Sequence, residues 1–206
     1  MRTRKWAGAL APVATAALLV LAGCGWDGGS TTGTASGADH NAADVTFAQD
    51  MIPHHEQALV MADVAIEGAS TKELQQLAER IKEAQAPEID QMTGWLESWG
   101  EDVPDLDAMD HMMMGHGDGD GDGFDMPGMM DADDMQRMSS MMGDGLAFDR
   151  MWVLMMIRHH EGAIEMAQDE QLDGQSADAI ALADAIEAAQ TDEIDLMKQM
   201  LRDWKS

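Results

Sequence analysis

The chain contains one segment twice, and the two copies lie 105 residues apart. Met-Ile-Pro-His-His-Glu at 51–56 returns as Met-Ile-Arg-His-His-Glu at 156–161, and the same shift continues without a gap to Trp99 and Trp204. The other identical pairs include Met61 and Met166, Gln85 and Gln190, Glu88 and Glu193, and Met92 and Met197. An ungapped match over about fifty residues is typical of a duplicated supersecondary unit. The fold must therefore accommodate two copies of one element.

Each copy has the pattern of a helical hairpin. Apolar residues recur at helical spacing before and after a short break, and no alternating strand pattern is present. The first break is residues 67–70, where Ser70 and Glu73 form a capping-box pattern at the start of the next helix. The second break is residues 173–176. Two hairpins with one apolar stripe per helix bury these stripes most simply as a four-helix bundle, so the sequence predicts an all-α fold.

The N-terminal residues resemble an export signal. A basic start at residues 1–5 precedes an apolar run at residues 7–21, and the run closes on Leu21-Ala22-Gly23-Cys24. This last motif resembles the bacterial lipobox, at which the signal is cut and the cysteine is acylated. We therefore expect an extracytoplasmic protein that is lipid-anchored to the cell membrane through Cys24. The alternative is an uncut anchor helix with an incidental cysteine, although the apolar run is shorter than the roughly 20 residues that span a bilayer.

The sequence divides into five segments. A signal peptide at 1–23 and a flexible tether at 24–43 precede the first hairpin at 44–100. An insertion at 101–130 is rich in Met, Asp and Gly, has no sustained period and is expected to be disordered, and a short helix with the second hairpin fills 131–206. The two hairpins are expected to form one bundle domain. The formal net charge of −27 argues against nucleic acid as a partner and favours the attraction of cations.

Two histidines of each copy fall on the inward face of a helix. At about 100° per residue, His54 and His55 lie within the half-turn that faces the core, together with Met51 and Met61. Glu88 on the next helix lies in line with apolar positions, and the repeat doubles the whole set. Buried imidazoles and carboxylates are costly unless they are paired or coordinated. The pattern therefore leaves two interpretations, a metal site or a structural His-Glu network that sets the helix register.

The metal-site interpretation involves four imidazoles, two carboxylates and six thioethers. These candidate ligands are His54, His55, His159, His160, Glu88, Glu193, Met51, Met61, Met92, Met156, Met166 and Met197. Imidazoles and thioethers favour a soft ion such as Cu(I), whereas imidazole with carboxylate also suits Cu(II), zinc or iron. Copper is the expected ion, with silver, zinc and iron as alternatives.

The insertion carries a second set of soft ligands, which we interpret as a secondary metal-capture segment. Its members are Met109, His111, Met112, Met113, Met114, His116, Met126, Met129 and Met130. Methionine also fills cores, but core filling does not explain thioethers embedded among glycines and aspartates. Clusters at this spacing can wrap Cu(I) or Ag(I), so they favour the softest ions.

The paired histidines also carry a family resemblance. With Met51-Ile52-Pro53 before the first pair, and Ala-Gln-x-x-Glu-Ile after each pair, the chain resembles the bacterial domain-of-unknown-function family 305 over about residues 45–205. The resemblance implies a ferritin-like four-helix bundle that is usually exported, and copper binding and copper tolerance have been proposed for some members. The second copy departs from the motif because Arg158 replaces Pro53, which leaves that helix unbroken and predicts unequal halves.

Three functions compete. The leading hypothesis is a non-enzymatic protein that sequesters or hands over copper, with metal ions and, through its lipid, the membrane as partners. An oxidoreductase with a non-haem metal centre is the alternative enzyme, although the Glu-x-x-His motif of di-iron bundles is absent. A structural or partner-binding bundle without metal is the third possibility. The sequence names no catalytic residue and no protein partner.

Overall fold

The described part of the chain is entirely helical. A computed structural model describes residues 39–106 and 126–205, and these contain no β-strand. The helices are α1 (Ala42–Gly68), α2 (Lys72–Trp99), α3 (Ala132–Ser140), α4 (Leu146–Asp173) and α5 (Ala177–Asp203). None of these helices combines the length and the apolar character required to cross a bilayer. The predicted all-α class is confirmed.

The four long helices pack as two hairpins, and α1 of the first lies against α4 of the second. One apolar cluster joins the second halves of α1 and α5 to the first halves of α2 and α4, and it includes α3. The other cluster joins the opposite halves of the same four helices. Trp152 is fully buried in the first cluster, and its indole N–H donates to the carbonyl of Met61 at 2.7 Å. Burial of each such large side chain contributes roughly 1.5–3 kcal/mol. The bundle therefore has an apolar core at each end.

The two interhelical turns are held by aspartates from the opposite hairpin. Asp149 at the start of α4 accepts hydrogen bonds from the backbone and hydroxyl of Ser70, both at 2.8 Å, and from the backbone of Thr71 at 3.0 Å. The equivalent Asp44 in α1 accepts from the backbones of Gln175 and Ser176. The predicted capping box at Ser70 is wrong, because Thr71 precedes α2 and the Ser70 side chain is engaged by Asp149. These bonds tie each hairpin to the other.

Local signals account for most helix ends. The structure differs from the prediction at the start of α1 and at Pro53. α1 begins two residues before the predicted boundary, because the side chain of Asn41 accepts the backbone N–H groups of Ala43 and Asp44. Asp131 similarly caps the short helix α3 at its predicted start. Pro53 does not interrupt α1, although proline removes one intrahelical hydrogen bond. Its side chain is buried in the interior, so packing offsets that loss.

Candidate metal centre

A polar layer of four imidazoles separates the two apolar clusters. His54 and His55 come from α1, His159 and His160 come from α4, and each side chain is at most 1% exposed. The rings of His54 and His159 lie face to face, with centroids 3.8 Å apart and planes tilted by 36°. Because these two residues are repeat equivalents, their contact marks the pseudo-twofold axis at which the two copies meet. The structure therefore brings together all four predicted histidines.

A glutamate of the partner helix binds one imidazole in each half. Nε2 of His55 lies 2.7 Å from Oε2 of Glu88, and Nε2 of His160 lies 2.7 Å from Oε2 of Glu193. The glutamate side chains are 21% and 20% exposed, so they form the partly solvated edge of the layer. A carboxylate acceptor at Nε2 favours the tautomer with its proton there and leaves Nδ1 with a lone pair. This geometry orients both imidazoles as metal-binding histidines are commonly oriented.

The other two imidazoles are unequal. Nε2 of His54 is 3.1 Å from the carbonyl oxygen of Pro127, to which it can donate. Within the described residues, both ring nitrogens of His159 lack a hydrogen-bond partner. The Nδ1 atoms of His54, His55 and His160 also lack one. A buried nitrogen without a partner costs free energy that a bound ion or a donor can recover. Four Nδ1 atoms thus remain available inside the bundle.

Burial keeps two of these imidazoles neutral. It lowers the pKa of His54 to about 3, and the proximity of His55 adds to this effect. Burial also lowers the pKa of His159 well below its ordinary value of 6.5, and electrostatic repulsion from His54 and His160 lowers it further. Both rings are therefore uncharged at neutral pH, and a neutral imidazole is the form that coordinates metal.

Two amides extend the polar layer toward the second helices of the hairpins. Gln85 and Gln190 are repeat equivalents, and each is 3% exposed. Both amide atoms of Gln85 and the oxygen of Gln190 lack a hydrogen-bond partner among residues 39–106 and 126–205. The unpaired polar atoms are thus concentrated where the four imidazoles lie.

Thioethers flank the layer on both sides. Met61, Met156 and Met197 belong to one apolar cluster and are fully buried. In the other cluster Met51 and Met92 are fully buried, and the partly buried Met166 packs against that cluster. Within the described ranges, no three His, Cys, Asp or Glu side chains are arranged to hold an ion by themselves. An ion in the layer would therefore draw on thioether or amide ligands as well.

The end of the insertion packs across the imidazole layer. We call residues 126–131 the strap. Gln57 donates to the carbonyl of Met130 at 2.8 Å and accepts its backbone N–H at 2.7 Å. Arg158 binds the Met130 sulfur and the carboxylate of Asp134. This part of the insertion was expected to be disordered, but it is docked through long-range contacts that no local period reveals.

The strap contains three of the predicted secondary ligands. Met130 is buried in the first apolar cluster, whereas Met126 and Met129 are half-buried. The remaining predicted secondary ligands lie outside the described residues; they are Met109, His111, Met112, Met113, Met114 and His116. Cys24 also lies outside the described residues. A separate groove of about 310 Å³ between α2 and α5 contains none of the predicted ligands.

The sequence interpretation missed Gln57 and Arg158. Both occupy positions at which the two copies differ, because Gln57 corresponds to Gly162 and Arg158 to Pro53. Within the repeat, the sequence interpretation assigns ligands only to identical positions, so the residues that dock the strap are not among its candidates. The mismatches themselves were the signal that could have found them.

Comparison with known proteins gives one family. A model described as a domain of unknown function, DUF305, matches residues 44–201. No curated protein matches the sequence. A DUF305 protein from Streptomyces coelicolor, described as secreted, is 30% identical with a TM-score of 0.65, and the match covers 78% of this chain and 93% of that one.

The protein CopM is also similar in structure. Its Cu(I)-bound form is 29% identical with a TM-score of 0.61, and the match covers 79% of this chain and 98% of that chain. Its Cu(II)-bound form is 32% identical with a TM-score of 0.62, and the match covers 78% of this chain and 97% of that chain. CopM has also been solved with silver bound. The match of the family model to most of the sequence shows that this chain belongs to the DUF305 family.

Proposed function

We propose that the protein binds copper outside the cytoplasm and sequesters it or hands it to a partner. The observation that carries the proposal is the layer of four buried imidazoles whose Nδ1 atoms lack hydrogen-bond partners in the described part of the chain. A purely structural network would be expected to pair these atoms, because a half-satisfied buried network is destabilising. Coordination of an ion would satisfy them.

The donor set favours a soft ion. Neutral imidazole nitrogens lie between two groups of buried methionines, and thioether with imidazole suits Cu(I) and Ag(I) better than harder ions. The similarity to CopM, which has been solved with Cu(I), Cu(II) and silver, supports the same choice. We assign His55 and His160 as principal ligands, with His54 and His159 beside them.

The glutamates would then act through the imidazoles. Glu88 and Glu193 each accept from a ring nitrogen, and this arrangement holds the ring and raises its basicity toward an ion. Their carboxylates are thereby engaged with histidine, which disfavours a facial triad of two histidines and one carboxylate. We therefore infer a binding protein and not an oxidoreductase.

The anchor at Cys24 forms part of the same proposal. The lipobox-like motif supports acylation of Cys24, and the similarity to a family member described as secreted supports a position outside the cytoplasm. Mass spectrometry of the mature protein from its membrane fraction should find a lipid-modified N-terminal cysteine. A Cys24→Ala variant that remains equally membrane-bound would contradict the anchor without affecting the metal site.

Chelator competition tests the metal site directly. The purified untagged protein is titrated with Cu(I) against a chromophoric chelator, beside the double variant His55→Leu/His160→Leu. We expect the variant to lose its tight site and to keep its helical circular dichroism, because the glutamates that lose their partners lie at the partly solvated edge of the layer, where water can replace the imidazoles. His40→Leu is the matched control, since His40 is half-buried and stacks on Trp99 at the end of α2. Equal Cu(I) binding by the double variant would refute the assignment.

A further inference from the structure

The strap lies where the central imidazoles of the two copies, His54 and His159, contact each other. Pro127 faces His54 of α1, and Gly128 approaches the backbone of His159 in α4, so one short segment contacts both members of the central imidazole pair. A single segment on a pseudo-twofold axis cannot contact two identical surfaces in the same way. The two copies must therefore differ wherever they bind it.

The mismatched repeat positions supply these different contacts. Gln57 in the first copy forms two hydrogen bonds with the backbone of Met130, whereas its equivalent Gly162 makes room for the strap. A Cβ built on Gly162 would overlap the carbonyl of Pro127 and would lie 2.7 Å from the nitrogen of Gly128. At this repeat position, the first copy binds the strap through a side chain and the second copy leaves space for it.

The strap itself is shaped for this approach. Gly128 has a φ of +78°, and a Cβ there would lie 2.6 Å from the carbonyl oxygen of Arg158. Only glycine permits both the backbone conformation and this separation. Backbone therefore packs on backbone at this point, directly above the layer of buried imidazoles.

We infer that the strap is a lid over the imidazole layer and that Gln57 is the positioning residue that holds it closed. This inference rests on the proposed copper site. When the lid is closed, the carbonyl of Pro127 fixes the tautomer of His54 and its ring is withheld from solvent. Opening of the lid would then set the rate at which the layer exchanges its ion with an acceptor. The alternative exchange route is the partly exposed edge formed by Glu88 and Glu193.

Two substitutions open the lid without altering an imidazole. Gly162→Ala fills the space that the strap occupies, and Gln57→Leu removes both hydrogen bonds to Met130. The matched controls are Gly94→Ala, because a Cβ at that helical glycine meets nothing within 4 Å, and Gln49→Leu, because Gln49 binds the backbone of Asp102 elsewhere in the interhelical connection. Both opening variants are compared with wild-type full-length protein.

The readouts separate the lid from the copper site. In the metal-free protein we expect faster hydrogen exchange at the Met130 amide in both opening variants, and a mixed His54 tautomer in ¹⁵N spectra. In the Cu(I)-loaded protein we expect transfer to excess chelator to accelerate about tenfold or more at unchanged stoichiometry, because the open state is more populated. The controls should behave as the wild type does.

Each outcome decides between the possibilities. Faster amide exchange with an unchanged Cu(I) transfer rate would show that the ion leaves by the glutamate edge, and it would overturn the lid while the copper site stands. Unchanged amide exchange in both variants would show that Gln57 and Gly162 do not position the strap. A wild-type protein that binds no Cu(I) would refute the proposed function itself, and that result is visible before any variant is made.

Discussion

The two hairpins are alike at the imidazole layer and unlike around it. His55 with Glu88 and His160 with Glu193 have the same pairing at the same 2.7 Å distance. The copies differ at positions 53/158 and 57/162, where the strap docks, and at 65/170 near the turns. Duplicated positions that stay the same report the chemistry that both halves share. The positions that differ at the strap and at the turns belong to features that occur once in the molecule.

The largest expected effect concerns Asp44 and Asp149, which each bind the turn of the opposite hairpin. Replacement of Asp149 by Ala leaves two partly buried backbone N–H groups and a hydroxyl without their acceptor. Asp44→Ala leaves the backbone N–H groups of Asn41, Gln175 and Ser176 without theirs. We expect each variant to lose about 2–4 kcal/mol of unfolding free energy in urea denaturation.

The surface cap of α3 provides the control for both aspartates. Asp131 is exposed, and among the described residues its side chain accepts the backbone N–H of Asp134 alone, so Asp131→Ala should cost about 1 kcal/mol or less. If the Asp44 and Asp149 variants cost no more than the Asp131 variant, the two hairpins are not joined by these caps.

The equivalent glutamates allow a test of the shared chemistry. Because Glu88 and Glu193 make the same bond in each half, Glu88→Ala and Glu193→Ala should each weaken Cu(I) binding by about 10–100-fold, as is usual for groups that orient a ligand. Glu161→Ala, beside His160 but exposed, is the control. A strong effect from one glutamate alone would mean that the ion is held by one half of the layer.

One turn carries a buried carboxyl that the other lacks. Glu170 lies beside Asp44, whereas its repeat equivalent is Ala65. Burial raises the pKa of Glu170 to about 8, and a hydrogen bond to Asp44 and the charge of Asp44 add to this effect. Burial would also raise the pKa of Asp44, but hydrogen bonds from Asn41, Glu170 and Ser176 lower it overall.

This difference predicts a pH dependence of stability. The folded state holds the Glu170 proton above the ordinary pKa of 4.5, so stability should fall as the pH rises from about 4.5 to about 8. Glu170→Gln should remove this loss and raise the unfolding free energy at pH 9 by roughly 1–3 kcal/mol. Glu165→Gln, exposed on the same helix, should leave the wild-type pH profile unchanged. A wild-type profile that is flat between pH 5 and 9 would contradict the assignment.

The repeat made most of the fold predictable. Helical periodicity and the ungapped shift gave the hairpins, and the inward phase of His54, His55, His159 and His160 predicted the polar layer. These features are local or periodic, so they can be identified in one sequence. The glutamate pairing followed because Glu88 and Glu193 share a face with apolar positions.

The contacts that could not be predicted join segments distant in sequence. Ser70 looked like a helix cap, but its partner is Asp149, 79 residues away. The strap looked like a linker because its partners Gln57 and Gly162 lie on two separate helices. Composition alone gives no register for such contacts. At the strap, the mismatches at 53/158 and 57/162 mark the docking residues.

X-ray absorption at the copper edge of the full-length protein loaded with substoichiometric Cu(I) tests the central claim most directly. We expect imidazole nitrogen in the first shell of the ion, with the multiple scattering that an imidazole ring produces. In His55→Leu/His160→Leu this signal should disappear while the helices remain. A shell of sulfur alone, identical in both proteins, would place the copper on thioethers without imidazole and would leave the buried imidazoles as a structural network.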